Sequence, residues 1–128
     1  MAQLEHINVT VADPKKMAAM LHTLFDWKIR WEGAGMAGAG YTVHVGSDET
    51  YLALYTGTDG SPTPSEGSSY ERLSGLNHIG VVVDDLDLVE ARVKALGYSP
   101  TSHADYEPGR RFYFTDEHGL EIEVICYA

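Results

Sequence analysis

Two stretches of this chain are copies of one another. Residues 5–11 read EHINVTV, and residues 77–83, seventy-two places on, read NHIGVVV. The same offset matches Asp13 with Asp85, Ala19 with Ala91 and Leu24 with Leu96. One supersecondary unit is therefore used twice, which limits the available folds more than any compositional figure does. In each copy an alternating strand leads to an aspartate, Asp13 or Asp85, that suits a helix N-cap. Pro14 fits the first helical position, and Met17, Met20, Leu21, Leu24 and Phe25 fall on one apolar stripe. In the second copy Leu86, Val89, Val93 and Leu96 make the stripe, and Gly97 ends the helix.

After each helix the pattern returns to period two. DWKIRWEG, YTVHV and TYLALYT follow the first, and YSPTS, RRFYFTD and LEIEVIC follow the second. Each module thus reads βαβββ, and the chain reads as an α+β fold of two modules, each with a curved four-stranded mixed sheet. The expected division is a single domain, 1–128, with one module over 2–56 and the other over 75–128. Between them residues 57–74, rich in Gly, Ser, Thr and Pro, read as a linker. The GAGMAGAG run at 33–40 reads as a loop or as a place where backbone approaches a ligand closely.

A chain of 128 residues with 44% hydrophobic and 22% charged residues suits one folded domain. Its formal charge of −10 repels phosphate backbones and anionic lipid, so neither nucleic acid nor a membrane surface is an expected partner. The start MAQLEH has no basic or hydrophobic signal region, and a cytoplasmic location is expected. The single cysteine, Cys126, excludes an intramolecular disulfide and reads as a small apolar residue of the last strand.

Titratable groups recur at places the repeat makes equivalent. His6 and His78 head the two first strands and so project from matching faces. In the last strand Glu121 and Glu123 share one face, and Leu120, Ile122 and Val124 take the other. Two histidines and one carboxylate leave about half of a divalent ion's sphere open to small oxygen ligands. Such a donor set suits iron, manganese, nickel, cobalt or zinc. Tyr41, Tyr51, Tyr55, Tyr113, His44, His103 and Arg111 lie in or near strands that could wall a binding cavity, and one of Arg110 and Arg111 could meet a substrate carboxylate. Trp27 and Trp31 read as strand aromatics covering the core, and His118 as an exposed turn residue.

EHINVTV, NHIGVVV and RRFYFTDEHGLEIEVI together resemble the vicinal oxygen chelate superfamily, the group of glyoxalase I, extradiol dioxygenases, fosfomycin-resistance transferases and bleomycin-resistance proteins. The resemblance covers nearly the whole chain. It implies two βαβββ modules around a cavity, and a divalent transition metal held by His6, His78 and Glu123. It also implies a small substrate that chelates the metal through neighbouring oxygens, and a homodimer, with exchange of modules between chains as one form. The family's fourth ligand position falls on Ala53, so the glutamate that glyoxalase I-like enzymes use in proton transfer is missing. A three-ligand site of this kind resembles dioxygenases and fosfomycin transferases more than glyoxalase I. Glu121, Tyr113 and His103 are the expected catalytic residues, and Arg111, His44, Tyr55 and Ala53 the expected substrate contacts. The alternative is a protein that sequesters a small molecule without turnover, as bleomycin-resistance relatives do.

Overall fold

The computed structural model of the chain describes residues 1–106 and 109–127; Ala128, the expected last residue of the second module, lies outside them. The chain divides after Pro64 into two compact units. In the first, β1 (His6–Thr10), α1 (Pro14–Phe25), β2 (Lys28–Ala34), β3 (Tyr41–Gly46) and β4 (Tyr51–Tyr55) follow in order. Their sheet runs β1-β4-β3-β2, with β1 parallel to β4 and the other pairs antiparallel. In the second, β5 (Ile79–Val82), α2 (Leu86–Ala95), β6 (Thr101–Tyr106), β7 (Gly109–Thr115) and β8 (Glu121–Cys126) repeat that plan as β5-β8-β7-β6. The two open, mixed sheets with one helix each give the α+β fold that the repeat implies.

Local chemistry sets the helix ends. Asp13 and Asp85, both in extended backbone, accept hydrogen bonds from Lys16 N and Leu88 N at 3.1 and 3.0 Å, and Pro14 opens α1. Met17, Met20, Leu21 and Leu24 of α1 are buried, as are Val43, Val45, Leu52 and Leu54 on the strands beneath. In the second unit Leu86, Val89 and Val93 play the helix's part, with Phe112, Phe114, Ile122 and Val124 below. Leu96 departs from the expected stripe, because α2 ends at Ala95 and leaves it 42% exposed.

Strand β6 begins later than YSPTS suggests. Gly97 takes a φ of 92°, and Tyr98 N bonds back to Val93 O at 3.2 Å, so residues 97 and 98 finish the helix. Pro100 has no N–H to give a ladder, and pairing starts at Thr101. A register shift between Thr101 and Ala104, with Ser102 at a φ of 52°, then bulges the strand. The glycine run after β2 approaches a ring of this chain: a Cβ on Gly35 would sit 2.5 Å from the Tyr55 ring, and one on Gly40 3.0 Å from it.

Tyr98 carries a testable pH dependence. Burial first, and then the charge of Glu117, to which its hydroxyl donates at 2.9 Å, push its pKa from 10.0 up to about 12. The folded chain keeps this proton where the unfolded chain has lost it, so the associated stability is complete below pH 10 and disappears between 10 and 12. The unfolding midpoint is expected to fall across that window, and to fall less steeply in Tyr98→Phe. Equal slopes in the two proteins would refute this.

Candidate functional site

Strand periodicity leaves each sheet one face buried against its helix and one face free to carry polar groups. On the second sheet Ile122 and Val124 are buried, so Glu121 and Glu123 lie on the other face. His78 stands just before β5, the parallel neighbour of β8. Its Nε2 is 3.3 Å from Glu123 Oε1. Its Nδ1 is 3.0 Å from the Tyr70 hydroxyl and 3.5 Å from Glu121 Oε1. Glu121 and Glu123 therefore address opposite edges of one imidazole, and they cannot meet at a common point on it.

The other oxygen of Glu123 is occupied. Oε2 accepts from Arg111 Nη1 at 3.0 Å and from the Tyr113 hydroxyl at 3.1 Å, which leaves Oε1 turned toward His78. The Arg111 and Glu123 side chains are only 12% and 13% exposed. Arg111 also lies over the Tyr106 ring at 5.0 Å, and its buried Nε has no hydrogen-bond partner among the described residues. The Tyr113 ring meets His78 edge-on at 5.5 Å. Burial, reinforced by Glu123, raises the Tyr113 pKa, so its hydroxyl stays a donor near neutral pH.

Two sequence candidates of this unit are elsewhere. His103 packs at 6.0 Å from Phe112 on the helix side and pairs with Glu90 of α2 at 3.1 Å. The bulge after Thr101 sets that facing, so His103 does not join His78 and Glu123. Arg110 alternates away from Arg111 and pairs with Asp87 at 3.0 Å. His118 lies in the turn before β8, where its N–H donates to Asp116. An open depression of about 440 Å³, lined by Tyr98, Thr101, Thr115, Asp116 and Glu117 among others, contains none of the expected site residues.

The first unit presents a different surface at the matching positions. The His6 ring stacks on Tyr51 at 4.8 Å, Tyr51 on His44 at 4.6 Å, and His44 meets Trp31 at 5.1 Å. The Arg30 guanidinium covers Tyr51 at 4.4 Å. His6 Nδ1 is 2.9 Å from Glu5 Oε1, a contact that lowers the Glu5 pKa and leaves Nε2 uncommitted to that carboxylate. Burial lowers the pKa of His44, which favours its neutral form.

Strand register identifies the counterpart of Glu123. Ala53 pairs with Asn8 and His44, as Glu123 pairs with Gly80 and Tyr113. Ala53 is buried, and no carboxylate stands at its place. Tyr55, two residues on, seats the glycine loop and donates to Ala39 O at 3.4 Å.

Donor geometry tests whether a metal fits. Ligand bonds of about 2.0–2.2 Å at angles between 90° and tetrahedral put neighbouring donors roughly 3.0–3.5 Å apart. His78 Nε2 and Glu123 Oε1 meet that spacing, and the remote atom of each is anchored, as outer-shell partners anchor ligands. The pair fits as two of an ion's ligands. Among the described residues no group of three or more His, Cys, Asp or Glu is placed to hold a metal.

Tyr70 is the site residue that sequence patterns miss. It sits on a 3₁₀ turn, Ser69–Glu71, inside the segment that composition marks as linker. Its only sequence signal is an aromatic residue within a Ser- and Gly-rich run.

The family model described as Glyoxalase/Bleomycin resistance protein/Dioxygenase superfamily matches residues 3–124. A comparison with curated proteins finds no match. Among solved structures, a glyoxylase/bleomycin resistance protein/dioxygenase domain from Frankia sp. EAN1pec is similar at a TM-score of 0.80 and 21% identity, covering 100% of this chain and 99% of that one. TnmS3, an antibiotic binding protein from Streptomyces sp. CB03234, is similar at 0.75 and 18%, with coverage of 100% and 98%. The fosfomycin resistance protein FosX from Listeria monocytogenes is similar at 0.71 and 20%, with coverage of 100% and 95%. These likenesses show a shared fold.

Proposed function

Because the chain belongs to the Glyoxalase/Bleomycin resistance protein/Dioxygenase superfamily, we propose that it is a divalent-metal enzyme of that group, with His6, His78 and Glu123 as ligands. The observation that carries this reading is the 3.3 Å approach of His78 Nε2 to Glu123 Oε1, each with its far atom tied to another side chain. His6 holds the repeat-equivalent place, and its Nδ1 is likewise tied, to Glu5.

A bound ion would act as a Lewis acid toward a small substrate with two neighbouring oxygens. The chain's own groups do the rest. Tyr113 and Arg111 orient Glu123 and offset its charge, and the half-exposed Trp31, at the end of the ring stack, offers a ring face to a substrate. His44, whose neutral form burial favours, is a candidate base for that chemistry. With Ala53 in place of a carboxylate, proton transfer of the strict glyoxalase I type lacks its base, which favours dioxygenase- or transferase-like chemistry.

A second reading rests on the stacked rings of His6, Tyr51, His44 and Trp31, whose Trp31 end is 50% exposed. Such a surface suits a planar ligand held without turnover, and TnmS3, a structural neighbour, is an antibiotic binding protein. Metal analysis separates the two. After chelator treatment and reconstitution with zinc, manganese, iron, nickel or cobalt, near-stoichiometric uptake of one of them is expected. Failure to retain any of these ions overturns the enzyme reading in favour of the binding protein.

A further inference from the structure

The Tyr70 hydroxyl lies between two groups, 2.8 Å from Glu121 Oε1 and 3.0 Å from His78 Nδ1. It has one proton to give. The carboxylate is the nearer and the charged acceptor, and it has no proton of its own, so the tyrosine proton goes to Glu121. Directed to Nδ1 instead, that proton would leave two oxygens facing each other at 2.8 Å with nothing between them. Nδ1 must therefore donate its own proton to the phenol oxygen. In the neutral ring that proton is the only one, so Nε2, on the Glu123 side, is the atom whose lone pair a metal would take.

We infer that Tyr70 is a positioning residue which fixes His78 in the Nδ1–H tautomer and so prepares Nε2 to ligate a metal. The proton on Nδ1 stands on the hydrogen bonds alone; its use rests on the reading of His78 as a ligand. The segment between the modules becomes part of the site, because it delivers the ring in a defined turn. Tyr70 N donates to Ser68 Oγ at 3.2 Å, and Arg72 donates to Ser65 Oγ at 2.8 Å and to Glu66 O. Gly75 passes so close to this turn that a Cβ there would lie 2.2 Å from Ser69 O.

The ¹⁵N shifts of the His78 ring in metal-free protein, with zinc affinity measured by chelator competition, test the inference. Once the ring is titrated to its neutral form, Nδ1 of the unaltered chain is expected to read as protonated and Nε2 as bare. In Tyr70→Phe the nearest remaining carboxylate contacts are Glu123 at 3.3 Å from Nε2 and Glu121 at 3.5 Å from Nδ1. The nearer one draws the proton, so the ring shifts toward Nε2–H. Zinc affinity then falls by about 10–100-fold, the usual effect of losing an outer-shell partner. Gly75→Ala, which displaces the turn and keeps the hydroxyl, is expected to give the same two changes. A neutral ring protonated on Nε2 in the unaltered chain, or ring shifts unmoved in Tyr70→Phe, overturns the proposal. Ring shifts as stated in a protein that takes up no zinc uphold the tautomer and remove the metal reading alone.

Discussion

Glu123→Ala is expected to abolish tight metal binding and, independently, to lower the unfolding midpoint. Loss of an outer-shell partner already costs about 10–100-fold in affinity, so removing a ligand itself is expected to exceed roughly 100-fold. The stability loss has another cause. Arg111 is 12% exposed, bonds Glu123 Oε2 at 3.0 Å, and has an Nε with no hydrogen-bond partner among the described residues. Without Glu123 its charge is left in a poorly solvated place, which costs more than the pair was contributing. The two effects come apart in a double variant. Arg111→Met combined with Glu123→Leu removes both charges and is expected to regain most of the lost stability, because a buried pair replaced by apolar groups of similar size is often neutral. Metal binding stays absent in it. Unchanged metal uptake in Glu123→Ala would remove the ligand assignment, and a double variant no more stable than Glu123→Ala would remove the electrostatic explanation.

Phe112→Ala is expected to cost about 3–5 kcal/mol, as deletion of a large buried ring generally does. Phe112 is fully buried on β7, beside Val124 in register, between the site-facing Arg111 and Tyr113. A small domain has roughly 5–15 kcal/mol in total, so this one change is expected to take about a fifth or more of it. It also bears on the site, since the same strand presents Arg111 and Tyr113 to Glu123. Urea unfolding gives the number. A loss below about 1 kcal/mol, the ordinary effect of a point mutation, would mean that the second module does not depend on this ring.

How much of this was open to a reader of the sequence differs between fold and site. The repeat of EHINVTV as NHIGVVV, the aspartate caps and the two apolar stripes imply two βαβββ modules, because each is a local pattern with a local cause. Period two also places Glu121 and Glu123 on one face, and the matching registers make Ala53 the counterpart of Glu123. Where a pattern was overridden, a neighbour did it. Leu96 lost its place in the core when α2 stopped at Ala95, and the bulge at Ser102 carried His103 to the helix side, beside Glu90.

The partners of each polar group were not legible at all. Facing says which side of a sheet a carboxylate occupies, but not which edge of an imidazole it meets, nor which guanidinium takes its second oxygen. Strand facing does not separate Glu121 from Glu123; tertiary packing gave one to Nδ1 with Tyr70 and the other to Nε2 with Arg111 and Tyr113. Tyr70 lay hidden for a similar reason. A residue in a Gly- and Ser-rich segment has no periodicity to reveal its direction, and it acquires a role only when the turn around it is folded against His78. The sequence by itself determined the elements and the face on which chemistry could stand, because those follow from spacing along the chain. The tertiary structure alone decided the hydrogen bonds across that face, because they join residues up to fifty-one positions apart, from Tyr70 to Glu121, whose meeting no local pattern encodes.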